Sequence, residues 1–480
     1  MGKYKTLAKN TGFVLIGTIG SKLINIIMLP LYTFWLKPEE FGAIDTITTY
    51  SMLFIGFVCL CLPDAIFIFP YNSSNSKKKE YFSSGIIFSM IAITISALFF
   101  CLVQFFLLKQ KMHNVLSDYT WLIFWLMVTS YMQSYCQSFT RSLNKMMQYS
   151  IAGIVLTLST ALFSVLFIPH LGLSGYALSL ILAQLVAAIY SFVAGGCYKY
   201  IQFQGNSWSS VKEMLTYSAP LLPNGIMWWL VNGLNRPIME HFLGLAAIGL
   251  YAVANRFTGM LFSLLSILST AWGNSVLEEY GKPGFERFYN NYIKMLGILL
   301  FFGGYLMIIF SRSIVSIFTT SEYYDAYYYI SPLMAGIIFS GMSGAVGGVF
   351  SATKTSKYFF YSSLWGGICS IITLIGLTSV FGLMGTCISV AFSFFTMFLS
   401  RTIYASKFVK LENIWFYIQL SIVFILMSCC EILIENNSRY ILHTFLFFVS
   451  VFLCRKDIVS VIRLLDLKHK LSNLTNRLGK

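Results

Sequence analysis

The sequence predicts an all-α integral membrane protein of about fourteen transmembrane helices, with two six-helix repeats around a central cavity and two further helices after them. Three observations predict it. Hydrophobic residues make up 57% of the 480 residues and charged residues only 11%, where soluble domains carry about 25%; mean hydropathy is +0.72. Apolar runs long enough to cross a bilayer recur from one end of the chain to the other, and they are continuous, unlike the alternating strands of outer-membrane barrels. Finally, the pattern of the first half returns in the second.

That repeat shows at three landmarks in the same order. Asn25, Pro30, Leu36 and Gly42 fall on Asn232, Pro237, Leu243 and Gly249 at a shift of 207 residues. Ser142, Lys145 and Tyr149 fall on Ser351, Lys354 and Tyr358 at a shift of 209, and HLGLSG from His170 falls on VFGLMG from Val380 at 210. Near-constant shifts imply two copies of one unit. The expected organisation is an N-terminal lobe over 1–200, a C-terminal lobe over 201–410, two added spans over 411–454, and a basic amphipathic tail over 455–480.

In chain order the spans read at about 11–36, 41–63, 83–108, 119–140, 149–169, 174–198, 216–242 and 246–276, then 291–311, 327–351, 358–380, 384–405, 414–434 and 439–454. The first has a basic start, but its apolar run is too long for a signal-peptide core and lacks a small-residue cleavage site. Lysines and arginines set the orientation. With the N-terminus inside, Lys77–Lys79, Arg141, Lys145, Lys199, Lys212, Lys282, Arg287, Lys354, Lys357, Arg401, Lys407, Lys410 and the tail share one side, and the other keeps only Lys37, Lys109, Lys111, Arg312 and Arg439. Both termini are therefore expected in the cytoplasm, and an even number of spans between the copies relates them by an axis along the membrane normal. In the tail, Val461, Leu464, Leu465, Leu471, Leu474 and Leu478 recur at helical spacing opposite Arg463, Lys468, Lys470 and Arg477, as in a helix lying on the leaflet surface.

Several function classes fall away. The net charge of +15 sits beside the apolar spans, so it matches membrane topology and not nucleic acid. Ten cysteines are scattered without CxxC or His partners, which supports neither a metal site nor a disulfide frame. There is no GxxxxGK[ST] loop for nucleotide, no catalytic triad or carboxylate pair, and no large outer loop to house an active site. A transporter without a cofactor is the expectation, not an enzyme.

Ions inside a bilayer persist only with a partner or a task. Lys22 lies deep in the first span with Asn25 one turn later, and Arg256 lies about as deep in the eighth beside Asn255. If both face the repeat interface they form an anion site; if not, each pairs with a carboxylate or carbonyl within the bundle. On the seventh span Arg236 and Glu240 stand one turn apart, with Asn224, Asn232 and Asn235 upstream. This i, i+4 pair either satisfies itself or serves the substrate path. Asp45 is the nearest embedded acid to Lys22 in sequence, a candidate counter-ion or coupling group. Pro30 and Pro237 recur at equivalent places, and Pro220 and Pro223 precede Asn224; each frees a carbonyl and permits bending, so these four are candidate hinges. The run YYDAYYY from Tyr323 to Tyr329 reads as an interfacial belt or a sugar-stacking surface.

The stretches KNTGFVLIGTIGSKLINIIMLPLYTFWLKPEEFGAIDTITTY, NRPIMEHFLGLAAIGLYAVANRF and AWGNSVLEEY resemble the polysaccharide flippases, the O-antigen and capsule-unit translocases of the multidrug, oligosaccharidyl-lipid and polysaccharide exporter superfamily. The resemblance covers spans one to twelve. It implies two six-helix lobes and the transfer of an undecaprenyl-pyrophosphate-linked oligosaccharide to the outer leaflet of a bacterial cytoplasmic membrane. It implies a pyrophosphate-binding role for Lys22 and Arg256; Arg236, from its own place in the seventh span, is a third candidate for the same anion. A coupling ion, H+ or Na+, and other polysaccharide assembly proteins are implied partners. Two departures stand out: many relatives carry Asp-Arg where this chain has Asn235-Arg236, and the second span lacks the basic residue that some carry. The alternatives are an ion-coupled multidrug antiporter of the same superfamily, favoured by buried acids over buried cations, and a membrane glycan polymerase or ligase.

Overall fold

The computed structural model describes residues 24–455 and 459, apart from 72, 203–206, 354, 356, 412–413, 435 and 437. Lys22 and the amphipathic tail lie outside the described residues. Among those described there is no strand.

Among the described residues sixteen α-helices follow one another: α1 Leu29–Trp35, α2 Pro38–Cys59, α3 Leu62–Ile68, α4 Asn75–Lys109, α5 Val115–Asp118, α6 Thr120–Ser142, α7 Met146–Ala194, α8 Trp208–Ser218, α9 Leu222–Asn232, α10 Asn235–Leu243, α11 Leu245–Glu279, α12 Phe285–Phe318, α13 Tyr327–Ala352, α14 Lys357–Ala405, α15 Ile414–Leu433 and α16 Ser438–Leu453. Among the described residues eight helices are long and apolar enough to cross a membrane, and shorter apolar helices accompany them. The chain is a multi-span membrane protein.

Two of these helices, α7 and α14, have 49 residues each. At 1.5 Å per residue that is about 74 Å, more than twice a bilayer core. Each is broken by a glycine in the left-handed region, Gly172 with φ 53° and Gly382 with φ 57°, where a side chain would be strained. Three residues later, a Cβ on Gly175 would strike the carbonyl of Phe167, and one on Gly385 the carbonyl of Leu377. Residues eight apart in a straight helix stand about 12 Å from each other, so both helices fold back into hairpins and make two passes each. These glycines are the 210-residue landmark of the repeat, which therefore reappears as one backbone break made twice.

The chain divides into two compact units, Met1–Ala252 with Ile317–Tyr323, and Val253–Ser316 with Tyr324–Lys480. In the first, Phe82 stacks on Phe139 at 4.2 Å between ring centroids, and Tyr135 donates to the Phe82 carbonyl at 2.8 Å. Gly85 is required there, because a Cβ would meet the Tyr135 hydroxyl. These rings join α2, α3, α4, α6 and α8 in one buried cluster with Cys59, Leu62 and Met214. Residues Thr320 and Tyr323 reach α1, donating to the carbonyls of Thr33 and Leu36 at 3.0 and 2.8 Å.

In the second unit, Trp272 stacks on Tyr292 at 3.7 Å and donates to the Ala345 carbonyl, while Tyr289 donates to Val346 and Tyr305 to Leu420. Buried aromatic rings thus supply area, and their polar tips satisfy carbonyls on α13 and α15. Helices α15 and α16 are fastened to α12 by charge. The carboxylate of Glu431 takes Arg312 Nε at 2.8 Å and lies 2.9 Å from His443 Nε2, while Arg312 also caps the carbonyls of Glu431 and Ile434 that end α15.

The tyrosine run does not form a uniform belt. Tyr323 and Tyr327 are buried and Tyr324 is exposed; Tyr327 carries the Arg312 guanidinium over its ring at 4.4 Å. Tyr323 and Tyr327 serve packing, the first through its bond to the Leu36 carbonyl and the second beneath Arg312. Cys101 and Cys429 are exposed on their helices, and Cys59, Cys197, Cys387 and Cys454 are buried.

Candidate functional site

In the first unit, a buried polar knot gathers residues from both copies of the repeat. Arg236, near the start of α10, is 6% exposed. Its Nε donates to Asp45 Oδ2 of α2 at 2.8 Å, and its Nη1 donates to Asn235 Oδ1 at 2.8 Å and to the Asn232 carbonyl at 2.5 Å. The guanidinium lies over the Tyr251 ring at 4.8 Å, and Asn235 Nδ2 donates to the Tyr251 hydroxyl at 2.7 Å. One cation, one carboxylate and one amide share this space. A neutral Asn235 fits it, because Asp45 already supplies the single negative charge that Arg236 needs.

This geometry corrects the expected local pairing. Arg236 does not pair with Glu240; Glu240 Oε1 accepts instead from the backbone N–H of Val115 at 2.6 Å. Asp45 serves Arg236 and lies 191 residues away in sequence.

The other predicted residues are scattered. Asn25 is exposed, as is Asn232, whose Nδ2 donates to the Trp228 carbonyl. The side chain of Asn224 lies outside the described residues. In the second unit, Arg256 and Asn255 are half-buried on α11; Asn255 receives a long contact from Thr258, and Arg256 is engaged by neighbouring groups. Pro30 lies within the apolar helical run Ile24–Trp35, one residue into α1, where it lacks the N–H that would continue the helix ladder. Pro220 and Pro223 flank the junction between a 3-10 turn, Ala219–Leu221, and α9. Pro237 lies just inside α10, after the break that separates α9 from α10. Pro220, Pro223 and Pro237 thus stand within the first turns of their short helical segments, and Pro30 stands inside the run Ile24–Trp35.

A largely apolar cavity of about 790 Å³ lies in the second unit among α12, α13, α14 and α15, walled by Phe339, Phe392, Phe395, Tyr417 and Ile425. No charged residue lines it. It has the character of a seat for hydrocarbon and offers nothing to an anion.

Sequence reasoning passed over Glu431 and Tyr251. Glu431 is the only acid within the apolar run of α15, and an acid there demands a buried cation, which α12 and α16 supply. Tyr251 carried no such signal, because an aromatic residue in an apolar span needs no explanation.

The profile of the polysaccharide biosynthesis protein family matches residues 7–272, more than half of the chain. The chain belongs to that family. A second profile, MatE, matches residues 226–375 of this polysaccharide biosynthesis family member. Among solved structures, the lipid II flippase MurJ in an inward closed conformation superposes with a TM-score of 0.62 at 14% identity, covering 93% of this chain and 99% of MurJ. A point mutant of the Vibrio cholerae MATE transporter VcmN gives 0.60 at 14% identity, covering 84% and 96%. A MOP superfamily transporter from Pyrococcus furiosus gives 0.60 at 13%, covering 84% and 95%. At these identities the likeness establishes the fold, which is that of the MATE and MurJ transporters. No curated protein sequence matches.

Proposed function

We propose that this protein flips an undecaprenyl-pyrophosphate-linked oligosaccharide from the cytoplasmic to the outer leaflet of a bacterial cytoplasmic membrane, for surface polysaccharide synthesis such as O-antigen or capsule. The observation that carries the proposal is the family match over residues 7–272 on a fold shared with a lipid flippase. In this reading the two six-helix copies, 1–200 and 201–410, act as lobes that alternate access, with both termini in the cytoplasm. Lys22 and Arg256 hold the pyrophosphate, because fixed cations between low-dielectric walls attract an anion far more strongly than in water. Arg236 holds α2 against α10 through Asp45 and supports the path without contacting phosphate. A coupling ion, H+ or Na+, drives the cycle, and other assembly proteins supply and receive the glycan.

A multidrug antiporter is the second reading, favoured by the MatE match over residues 226–375. One experiment separates the two. A host strain lacking this gene should lose its surface glycan and accumulate the lipid-linked glycan on the inner leaflet, with both defects reversed by the intact gene. A deletion strain with normal surface glycan and increased sensitivity to ethidium overturns the flippase reading in favour of the antiporter.

A further inference from the structure

Helix α6 carries a feature that ion pairing and apolar packing leave unused. One of its faces changes character along its length. Towards Thr120 that face presents Ile123, Leu126 and Met127, each at most 2% exposed. Further along it presents Ser130, Gln133, Ser134 and Gln137, all half-buried. Gln133 is thirteen residues from Thr120 and nine from Ser142, about 20 Å and 14 Å along the axis, so the polar portion lies at mid-bilayer depth. Polar groups at that depth belong against protein, water or a ligand, because hydrocarbon satisfies none of their hydrogen bonds.

Part of this polarity is spent within the unit. Gln133 Nε2 donates to Gln137 Oε1, and Gln137 Nε2 donates to the Tyr149 carbonyl of α7 at 3.0 Å. Thr129 donates to Gln184 Oε1 of α7 at 2.6 Å. These bonds fix three primary amides in place and leave capacity over, since each amide offers two donors and a two-lone-pair acceptor. Gln133 keeps its carbonyl and one N–H, Gln137 keeps one N–H, and Gln184 keeps its NH2.

The serines contrast with their neighbours. Thr140 and Ser142 on the same helix bond back to carbonyls three or four residues earlier, the usual fate of a hydroxyl in an apolar helix. Ser130 and Ser134 make no hydrogen bond among the described residues, although both are half-exposed. On α7, one turn beyond Tyr149, whose carbonyl Gln137 holds, a Cβ on Gly153 would meet nothing within 4 Å. The nearest charge along α6 is Arg141, whose guanidinium is already stacked over Phe67 at 4.2 Å.

We infer that Ser130, Gln133, Ser134 and Gln137, with Gln184, form a neutral glycan-contact surface that hydrogen-bonds the hydroxyls of the substrate's sugars. Amides and hydroxyls both donate and accept, as sugar hydroxyls do, and an uncharged surface holds a neutral saccharide without competing for the pyrophosphate. The inference rests on the flippase reading and adds to it the residues that face the sugar.

The test uses the full-length protein in nanodiscs and two lipids: undecaprenyl pyrophosphate, and the undecaprenyl-pyrophosphate-linked glycan extracted from the host. Wild type should bind the glycan-bearing lipid more tightly. Gln133→Leu with Gln184→Leu should weaken that binding about ten-fold, the effect of two lost hydrogen bonds, and leave undecaprenyl pyrophosphate unchanged. Ser130→Ala with Ser134→Ala should weaken it in the same selective way by a few-fold. These serines hold nothing together among the described residues, so a packing defect does not account for such a loss. Equal binding of both lipids by wild type, or equal weakening of both in the variants, overturns the glycan surface and leaves the flippase reading standing. Binding of neither lipid by wild type overturns both.

Discussion

Gly42 and Gly249, 207 residues apart, pack backbone to backbone where α2 meets the start of α11. A Cβ on Gly42 would lie 2.8 Å from the Gly249 nitrogen and would overlap the Leu245 carbonyl, and a Cβ on Gly249 would overlap the Pro38 carbonyl. Pro38 and Leu245 are themselves 207 apart. The contact is thus reciprocal: each copy of the repeat presents the same glycine to the same carbonyl of the other. Only helices related by a local two-fold rotation meet this way.

Glycine is needed at both positions because the obstacle is backbone, which no rotamer change relieves. Gly42→Ala and Gly249→Ala should each destabilise the detergent-purified protein by about 1–3 kcal/mol, the usual cost of forcing atoms into a filled contact. Gly376→Ala is the control, since that helical glycine faces open space; it should be neutral or slightly stabilising. Thermal unfolding of the three variants checks this, and equal midpoints for all would show that the crossing is loose.

The Arg236–Asp45 pair makes a second prediction. Asp45→Asn leaves a guanidinium that is 6% exposed without its carboxylate, and should cost about 3 kcal/mol. Asn235→Asp should restore stability to Asp45→Asn, because the new carboxylate takes the place of the amide oxygen already 2.8 Å from Arg236 Nη1. In the wild-type background the same change adds a second acid beside one cation and should destabilise. A double-mutant cycle on unfolding free energy measures the coupling. Additive effects would show that Asp45 and Asn235 do not share Arg236.

What the sequence made legible was periodic. Continuous apolar runs located the passes, and the 210-residue landmark of the repeat contains Gly172 and Gly382, although only their backbone shows that the chain turns there. What it concealed was who meets whom across distance. Glu240, one turn from Arg236, was the natural partner by sequence, whereas the true partner, Asp45, stands on a helix whose approach no local pattern encodes. Gln133 and Gln137 were hidden for a related reason. Their i, i+4 spacing is visible, but whether that face meets hydrocarbon, protein or open space depends on α7 and its bend.

The charge cluster on α15 should control how the last two helices are held. Glu431→Gln removes the carboxylate from Arg312 and His443 and should cost about 3–5 kcal/mol. Replacing Arg312 and Glu431 together by methionine should recover part of that loss, since neither ion of that pair is then left alone, while buried Arg439, 3.9 Å from the Glu431 carboxylate, still loses it. Limited proteolysis between α14 and α15, together with thermal unfolding, reports the outcome. Greater damage from the double replacement than from Glu431→Gln alone would assign the stabilisation to Arg312's bonds with the α15 carbonyls.

The last prediction concerns the proposed anion site. Arg256→Ala and Lys22→Ala should each abolish or severely reduce surface glycan while the protein remains at normal abundance in the membrane. A pyrophosphate carrying about two charges must pass a region where a lone ion costs several kcal/mol, and each fixed cation offsets part of that cost. Arg256→Lys should retain part of the export, because it keeps the charge and loses the planar fork that grips phosphate through two hydrogen bonds. Arg256→Glu should retain none. If Arg256 instead serves only to hold its helix in place, Arg256→Ala should lower abundance and thermal stability in step with export, and Arg256→Met, which preserves the packing, should restore all three. Measuring export and abundance across alanine, lysine, methionine and glutamate at 256 separates the two accounts. Full export by the methionine variant would end the anion-site assignment for Arg256.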